Sequence, residues 1–346
     1  MRLPRLLHTT ALGALILAGC QAADVGRPGD SSRAQVASSA QADVPPPLAL
    51  DGSAYDVAGE QPLPSQAPEE LGGLHNVFHL SANIVSGSEP HGTEAFEALR
   101  AMGVRTIVSV DGKEPEAQRA AEFGMRYVHV PVQYKGISED QLARLAKTFR
   151  ELEGPFYVHC FHGKHRGPAA AAVGRVVLDG TSREQAISEM RQYCGTSSKY
   201  EGLYQAIAAG EIPTFGQTNR YAYDFEAAHH PQGIVGTMVV IARAHDQVQE
   251  LSQRQWSADA EHPDLDAVNE ARTLAGAFEF ACGLDEVRNG PAQLAEWFEA
   301  SRTEAHSLVT ELEALRSGDA SAEQRAGTAW TAVRNLCNDC HGEYRN

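Results

Sequence analysis

The sequence predicts two folded domains of different class, an α/β domain over residues 71–212 and an all-α, antiparallel four-helix bundle over residues 221–346. Short β-type apolar runs alternate with helical patterns in the first region. The second region has apolar residues at helical spacing and no convincing strand. The chain has 346 residues, and one domain typically holds about 150, so two domains are expected.

Composition and charge exclude several classes of protein. Hydrophobic residues make up 42% of the chain and charged residues 21%, which excludes a collagenous, wholly disordered or polytopic membrane chain. The 45 acidic residues outnumber the 29 Lys and Arg residues and give a formal net charge of −16. Such a surface repels a phosphodiester backbone, so we expect no nucleic-acid partner.

Residues 1–19 have the pattern of a secretory signal peptide, with two arginines, a short apolar run and small residues at the end. The apolar run is shorter than the about 20 residues that a transmembrane helix needs. Residues 17–20, Leu-Ala-Gly-Cys, resemble a bacterial lipobox, which implies lipid modification of Cys20. We expect a periplasmic protein attached to the outer membrane through this lipid alone. The alternative is an ordinary signal peptide with a stray cysteine.

Residues 20–70 are predicted to form a disordered tether. Ala, Ser, Pro, Gly and Asp dominate this segment, and it shows no sustained apolar period. A tether of this kind would hold the folded body away from the lipid anchor.

The elements of the α/β domain follow from its apolar runs and their boundaries. Runs apolar enough to be buried on both faces predict strands at 106–110, 127–132 and 156–160. Helical patterns that end near glycines lie at 93–102, 138–152 and 167–178. Ser138 and Gln141 predict a capping box at the second of these helices. The alternation implies right-handed crossovers and a mostly parallel sheet.

The elements of the second domain are four helical segments with apolar residues at steps of three and four. These segments lie at 234–248, 268–282, 294–315 and 326–344. Pro291 suits the first turn of the third helix, and residues 317–319, Ser-Gly-Asp, separate it from the fourth. Four such helices joined by short loops predict an antiparallel bundle.

The first chemical motif is a Cys-x5-Arg sequence, with Cys160 and Arg166, at a predicted strand-to-helix turn. A loop wrapped around a helix N-terminus directs backbone N–H groups to one point, which suits a phosphate and activates a thiol placed there. The thiolate can attack phosphorus while the guanidinium holds the phosphoryl oxygens. The predicted phosphate-binding residues are Phe161, His162, Gly163, Lys164, His165, Arg166 and Gly167.

Residues 72–212 resemble the cysteine-dependent protein tyrosine and dual-specificity phosphatases. His159, Cys160 and Arg166 form the signature, with a strand before it and a helix after it. The resemblance implies that phosphate monoesters are hydrolysed through a phosphocysteine at Cys160, with Arg166 stabilising the transferred group. The phosphorylated substrate is not identified by the sequence.

Two positions depart from the pattern of that family. Gly167 replaces the Ser or Thr whose hydroxyl stabilises the thiolate as it leaves the phosphoenzyme, which implies slow hydrolysis of the intermediate. The loop after the second core strand lacks the family's general-acid Asp, and Asp111 and Asp140 are the nearest substitutes. Alternatively, Asp111 is a turn residue and Asp140 an ordinary helix-start acid. Aryl phosphates would tolerate the loss of an acid better than alkyl phosphates.

Cys194 is the other cysteine of this domain. In an oxidising compartment it could pair with Cys160 as a redox cap. The alternative is a plain buried thiol.

The second chemical motif lies at the C-terminus, where residues 337–341 read Cys-Asn-Asp-Cys-His. Cys-x-x-Cys-His is the attachment motif for c-type haem, because two thiols nearly one turn apart bond the vinyl groups and the next residue presents an imidazole to iron. A structural zinc site is the weaker alternative, because it wants four ligands and no second pair accompanies this one. A disulfide is the other alternative.

This motif on the last helix of a four-helix domain resembles the cytochromes c-prime and c-556. The resemblance implies one covalent haem c per chain on Cys337 and Cys340, with His341 as the proximal iron ligand. Met238 and His245 lie on the inward stripe of the first helix and are candidates for the distal side. The resemblance also implies a redox partner or nitric oxide or carbon monoxide as ligand, and a homodimer through the haem bundle.

Two functions follow from these motifs. In the first, the chain is an exported cysteine-dependent phosphatase whose activity responds to haem redox state or gas binding. In the second, it is an electron-transfer or gas-binding cytochrome whose α/β domain binds phosphate or a partner without turnover. Cys160 and Arg166 favour the first, whereas Gly167 and the missing loop Asp favour the second.

Overall fold

The computed structural model of the chain describes residues 44–57, 59, 61–258 and 265–344. The predicted signal peptide, Cys20 and the first part of the predicted tether lie outside the described residues. The described part consists of an α/β region followed by a helical region. The α/β fold and the helical character of the C-terminal region are as the sequence predicts.

The α/β region is built on a six-stranded mixed sheet with the strand order β1-β2-β3-β6-β4-β5. Strands β3, β6, β4 and β5 are parallel to one another, and β1 and β2 are antiparallel additions at one edge. The sequence pattern predicts β4, β5 and β6, and it misses β1, β2 and β3. The strands are β1 (Glu69–Leu71), β2 (Leu74–His79), β3 (Ile84–Gly87), β4 (Thr106–Ser109), β5 (Arg126–His129) and β6 (Phe156–His159).

Helices cover both faces of this sheet, and alternate strand residues supply the two cores. Ile107 and Tyr127 pack on one face with residues of α2, whereas Val108 and Val128 pack on the other with residues of α4, α5 and α7. The predicted capping box is present at α4, where Ser138 and Gln141 bond reciprocally. The helices are α1 (Ala54–Val57), α2 (Gly92–Ala101), α3 (Ala117–Glu122), α4 (Glu139–Glu151), α5 (Arg166–Leu178), α6 (Arg183–Gln192), α7 (Glu201–Ala208) and α8 (Phe215–Arg220).

Residues 44–57, which the sequence assigns to the tether, pack on the α/β region instead. The Leu48 N–H donates to the Ala208 carbonyl (2.8 Å), and the Arg183 guanidinium donates to the Pro45 carbonyl (2.9 Å). Leu48 and Leu50 contact the core beneath α7. Scattered apolar residues in a Pro-rich segment show no period, so composition alone misses this packing.

The helical region contains four long helices that share one apolar core. Helix α9 contacts α10, α10 contacts α12, and α12 contacts α13. Among the described residues, no helix combines the length and apolar character that crossing a membrane requires. The helices are α9 (Gly233–Gln253), α10 (Ala267–Gly283), the short α11 (Asp285–Arg288), α12 (Ala292–Arg316) and α13 (Ala322–Tyr344).

The segment before α9 fixes the helical region near the carboxyl ends of the parallel strands. The His129 N–H, at the end of β5, donates to the Glu226 carbonyl (2.8 Å). The His229 N–H in turn donates to His129 Nδ1 (3.0 Å). Arg126 lies over the Phe225 ring, 5.2 Å from its centroid. Because parallel strands end at one edge of a sheet, this contact brings α9 and α10 close to the Cys-x5-Arg loop.

Candidate active site

The Cys-x5-Arg segment forms a tight loop between β6 and α5. Cys160 follows the last residue of β6 and is 4% exposed, and α5 begins at Arg166. Gly163 has a φ of +73°, and a Cβ added there would lie 2.6 Å from Ser88 N. Only glycine fits this position, because it alone combines that backbone conformation with the close approach of β3.

Three carbonyl oxygens of the loop are bonded outward, to groups outside it. The bonds run from Glu89 N–H to Phe161 O (3.0 Å), from the Asn76 amide to His162 O (2.9 Å) and from the Thr196 hydroxyl to Lys164 O (2.7 Å). In a trans peptide the C=O and the following N–H point in opposite directions. The N–H groups of the next residues therefore turn into the loop, towards the first turn of α5, where an anion is favoured.

Arg166 and Asp111 form a buried ion pair beside the loop. One guanidinium nitrogen lies 2.7 Å from Asp111 Oδ2, and both side chains are less than a tenth exposed. The same carboxylate accepts N–H bonds from Phe161 and Lys113, each 3.1 Å long. The Arg166 guanidinium also donates to the Tyr134 hydroxyl (2.9 Å), and its carbon lies 4.2 Å from the centroid of the Tyr134 ring. These contacts fix the orientation of the Arg166 guanidinium.

Asp111 is ionised at neutral pH in this arrangement. Burial raises the pKa of its carboxyl, but the charge of Arg166 and the N–H groups of Lys113 and Phe161 outweigh burial, so the pKa lies below its ordinary value. An ionised, paired carboxylate has no proton to donate. The geometry suits Asp111 to positioning Arg166 better than to the general-acid role that the sequence offers it.

Asp140, the second general-acid candidate, lies in the first turn of α4 and away from the loop. Its carboxylate accepts hydrogen bonds from the Tyr221 hydroxyl and from Arg144 (2.7 Å). Burial raises the pKa of Asp140, but the combined effect of Tyr221 and Arg144 outweighs burial, and the pKa lies below its ordinary value. Asp140 is therefore also ionised, and it does not line the cavity described next.

A cavity of about 630 Å³ lies between the α/β region and helices α9 and α10. Asp111, Tyr134 and Arg166 line one side of it, and Arg243, Glu270 and Thr273 line the other. The Gln133 amide lies within hydrogen-bonding distance of the Arg243 guanidinium across the cavity. Arg166 thus faces a partly open cavity that both regions line.

The sequence reasoning misses Tyr134, Arg243 and Glu270. Glu270 is only 4% exposed, in the first turn of α10. One signal was available, because Glu270 is four residues before the buried Leu274 and so lies on an apolar face of its helix. A carboxylate on such a face needs a partner, but the sequence does not say that the partner is in the other region.

Two buried histidines next to the loop are neutral. Burial lowers the pKa of His159 to about 3 and that of His129 to about 4. His159 Nε2 lies 2.6 Å from the Tyr127 hydroxyl. His129 Nε2 donates to the Asp111 carbonyl (2.9 Å), since its Nδ1 accepts the His229 N–H. Both rings therefore brace the strand ends without adding charge.

Gly167 lies directly behind Cys160. A Cβ added at this position would be 3.0 Å from Cys160 N and 3.2 Å from His159 C. This contact is tight but requires a shift of only a few tenths of an ångström. Cys194 is also buried, and burial raises the pKa of its thiol. Cys160 and Cys194 are both free of disulfide bonds.

The Cys-x-x-Cys-His motif lies on α13 and opens on a small apolar cavity of about 40 Å³. Cys337, Cys340 and His341 line the cavity together with Met238 of α9. Burial raises the pKa of Cys337 to about 11. Two thiols, an imidazole and a thioether around one apolar space fit the donor set of a c-type haem. His245 instead packs against Trp330, with ring centroids 4.9 Å apart.

The comparisons with known proteins concern the α/β region. Residues 80–201 match the family model described as "Swiss Army Knife protein, DSP-PTPase phosphatase domain". Dual specificity protein phosphatase TpbA of Pseudomonas aeruginosa strain UCBPP-PA14 is 24% identical over 119 residues, which cover 34% of this chain and 54% of that protein. The match thus spans about half the length of the relative. TpbA of strain PAO1 is also 24% identical, over 118 residues.

Two solved structures are similar to the same region. The crystal structure of P. aeruginosa TpbA matches with 22% identity and a TM-score of 0.35, covering 43% of this chain and 93% of that one. The core catalytic domain of the PP-IP phosphatase SIW14 from S. cerevisiae matches with 21% identity and a TM-score of 0.33, covering 41% and 85%. The family match and the curated relatives show that the α/β region is similar to phosphatase domains of the dual-specificity type.

Proposed function

We propose that this chain is an exported phosphatase that hydrolyses phosphate monoesters through a phosphocysteine at Cys160. The observation that carries the proposal is the loop itself: a buried cysteine at a strand end, three loop carbonyl groups bonded outward and an arginine paired with a buried carboxylate. The substrate phosphoryl group would sit in the loop, bonded to the N–H groups of the loop and to the Arg166 fork. Cys160 would then attack phosphorus, and Arg166 would stabilise the spreading charge.

Turnover would be completed by water, which attacks the phosphocysteine and releases inorganic phosphate. Gly167 offers no hydroxyl to the departing Cys160 thiolate, so this second step would be the slower one. The first step would be fastest with aryl phosphates, because a phenolate leaves with less help from an acid than an alkoxide does. A phosphotyrosine-like or other aryl monoester is therefore the favoured substrate class.

The second part of the proposal is a covalent haem c in the helical region, which would have the fold of a four-helix cytochrome c-prime-type bundle. Cys337 and Cys340 would attach the haem, His341 would be the proximal ligand and Met238 would face the distal side. When bound, the group would supply one-electron redox chemistry or a site for nitric oxide or carbon monoxide. The support is the shared cavity of these four side chains.

Regulation of the phosphatase by the haem domain is supported by two helices that line both cavities. Helix α9 carries Met238 in the small apolar cavity and Arg243 in the large one. Helix α10 likewise carries Phe278 in the first and Glu270 in the second. A shift of either helix on haem reduction or gas binding would therefore change the wall that faces Arg166. Packed helices move as units, which suits them to such coupling.

The proposed location is the bacterial periplasm, with the chain held at the outer membrane by a lipid on Cys20. The N-terminal sequence pattern supports this location, and haem attachment to Cys-x-x-Cys-His in bacteria requires export. Palmitate labelling of wild type and a Cys20→Ser variant would test the anchor. Label on both proteins, or on neither, would refute it.

The second candidate function is a cytochrome whose α/β domain binds phosphate or a partner without turnover. Gly167 and the absence of an acid in loop residues 131–138 favour it. The two functions are separated by p-nitrophenyl phosphate hydrolysis with the purified chain and its Cys160→Ser variant. A rate that depends on Cys160 supports the phosphatase. Phosphate binding with no such rate supports the second function.

A further inference from the structure

Helices α9 and α10 of the helical region form the side of the large cavity opposite Arg166. Val240 and Arg243 of α9 line this side, together with Phe280 of α10. At about 630 Å³ the cavity is large enough for a small organic molecule. A phosphate monoester whose phosphoryl group is bound at Arg166 would therefore place its organic part against these two helices.

Arg243 carries a positive charge that no carboxylate compensates by direct contact. The residue is exposed, and among the residues that the structure describes no Asp or Glu lies within ion-pairing distance of its guanidinium. Asp246, three residues further along α9, lies 3.6 Å from His245 Nδ1 instead. An exposed guanidinium of this kind, facing a cavity, attracts an anion that enters it.

The side chain of Gln133 holds Arg243 at the cavity. With the amide oriented so that its oxygen faces the guanidinium, that oxygen accepts from Nη1 (2.6 Å), Nη2 (2.7 Å) and Nε (3.0 Å). An amide oxygen is uncharged, so it orients the guanidinium without neutralising it. The next residue, Tyr134, accepts a hydrogen bond from Arg166 (2.9 Å). Adjacent residues of one loop therefore contact the two guanidinium groups.

The same two helices also present apolar surface to the cavity. Val240, Ala244 and Ala277 line it, and the Phe280 ring is stacked on His230 with the centroids 5.1 Å apart. Apolar and aromatic side chains of this kind form most of the lining of small-molecule sites, whereas a few polar groups orient the ligand. A ligand that matches this lining has a phosphoryl group, an apolar middle and a second anionic group.

The other cations that line the cavity are less suited to bind a second anion. Lys113 and Arg272 are each paired with a glutamate at 2.6 Å. Lys135 presents a single ammonium group, whereas Arg243 can offer two parallel N–H donors to a carboxylate or phosphate. Acidic residues elsewhere in the lining disfavour an anion near them, and these are Asp111, Glu114, Asp246 and Glu270.

We infer that Arg243 is a second anion-binding residue of the phosphatase site and selects phosphate monoesters that carry a further anionic group, a carboxylate or a second phosphate. The inference rests on the proposed function. Arg166 binds the phosphoryl group that is transferred, and the further anion accepts a pair of N–H bonds from Arg243. The α/β region then performs the chemistry, and the helical region selects the substrate.

Isothermal titration calorimetry of the purified chain measures this selection without turnover. The ligands are phenylphosphonate, which is not hydrolysed, and three derivatives with a carboxylate at the para position, attached directly or through one or two methylene groups. We expect the tightest-binding derivative to have a Kd at least about tenfold below that of phenylphosphonate. In Arg243→Gln this advantage should fall below about twofold, and the Kd of phenylphosphonate should stay within about twofold of its wild-type value.

Three further variants separate a specific contact from a general effect of charge. Lys135→Gln and Arg272→Gln remove other cations that line the same cavity, and both should keep the advantage of the carboxylate. Arg243→Lys keeps the charge without the bidentate geometry and should keep part of the advantage.

The inference is overturned if the advantage is absent in wild type, survives in Arg243→Gln or is lost equally in Lys135→Gln, and the proposed function then still stands. The proposed function is refuted separately, if p-nitrophenyl phosphate shows no hydrolysis that depends on Cys160. In that case the same Kd values still decide whether Arg243 binds the anion.

Discussion

Asp111 and Arg166 are joined by a buried ion pair of 2.7 Å that connects the end of β4 to the start of α5. The pair fixes the guanidinium at the rim of the cysteine loop, and the same carboxylate holds the Phe161 N–H. The carboxylate of Asp111 therefore holds both the Arg166 guanidinium and the loop backbone. Asp111 follows β4 and lies 55 residues before Arg166 in the chain.

Asp111→Asn should lower both stability and activity. Breaking a buried pair by removing one partner typically costs about 3–5 kcal/mol, because the other charge is left uncompensated. Urea unfolding measures this loss. KM for p-nitrophenyl phosphate should rise at least tenfold, because the Arg166 guanidinium is no longer held in one orientation. If Asp111 were instead the general acid, the loss would grow with the pKa of the leaving group and KM would change little.

Stability should fall on acidification below pH 6.5 because of His129 and His159. Their folded pKa values lie near 4 and 3, below the ordinary value of 6.5, so the unfolded chain binds more protons between these values. Stability is therefore full above pH 6.5 and is lost as pH falls towards 4, by about 1.4 kcal/mol per histidine per pH unit. Urea midpoints at pH 7, 6 and 5 measure the slope.

The matched variant for this prediction is His129→Asn. It should have a shallower dependence of stability on pH, because one of the two buried histidines is gone. A slope equal to that of wild type would show that His129 is protonated in the folded state or does not titrate in this range. Either result would contradict the conclusion that His129 is buried and neutral in the folded protein.

Gly163→Ala should distort the backbone of the cysteine loop without unfolding the chain. The added methyl group would meet Gly87 and Ser88 at a φ that disfavours alanine, which costs about 1–3 kcal/mol. Phosphatase activity should fall at least 100-fold. Gly327→Ala, in the middle of α13 with nothing within 4 Å, is the control and should stabilise by about 0.5–1 kcal/mol. Retained activity in Gly163→Ala would refute the loop geometry.

Gly167 predicts burst kinetics. The first turnover of p-nitrophenyl phosphate should release about one p-nitrophenolate per site, followed by a slower steady state, since no hydroxyl assists the breakdown of the phosphocysteine. Gly167→Ser should reduce the burst and raise the steady-state rate, because the backbone of Cys160 has to yield by only a few tenths of an ångström. Stopped-flow absorbance measures both phases. A linear trace from the start in wild type would contradict the prediction.

Haem attachment is expected to depend on both thiols of the motif. A Cys337→Ala, Cys340→Ala double variant should lose covalent haem in a denaturing gel stained for haem peroxidase activity. Met238→Ala should keep the haem but change its absorption spectrum, whereas His245→Ala should leave the spectrum as it is, since His245 does not line the small cavity. Covalent haem in the double variant would overturn the assignment.

The parts of the site that could be predicted from the sequence are those in which neighbouring residues act together. Cys160 and Arg166 lie at the two ends of one loop, and Cys337, Cys340 and His341 lie along little more than one turn of α13, so their spacing alone predicts that each set lies together. Strands β4, β5 and β6 were predictable because they lie in longer runs of largely apolar residues. Strands β1 and β2 are partly exposed and carry no such pattern, and β3 is buried but contains only two large apolar residues, Ile84 and Val85.

The rest depends on contacts between residues far apart in the chain. The sequence offers Asp111 as a candidate acid, but it does not show the pairing with Arg166, which depends on β4 lying next to β6 in the sheet. Glu270 lines the same cavity as Arg166 because α10 packs near the α/β region, although Glu270 lies 104 residues after Arg166 in the chain. The periodicity of apolar residues predicts which face of a helix is buried, but it does not predict which other element packs on that face.

The central claim is that Cys160 is the nucleophile, and the most direct test is to trap its phosphoenzyme. The purified chain is mixed with p-nitrophenyl phosphate, quenched in acid within the burst phase, digested and analysed by mass spectrometry. We predict one added phosphoryl group on the peptide that contains Cys160, and none on that peptide in Cys160→Ala. An unmodified Cys160 during Cys160-dependent turnover, or a phosphoryl group on another residue, would contradict the account.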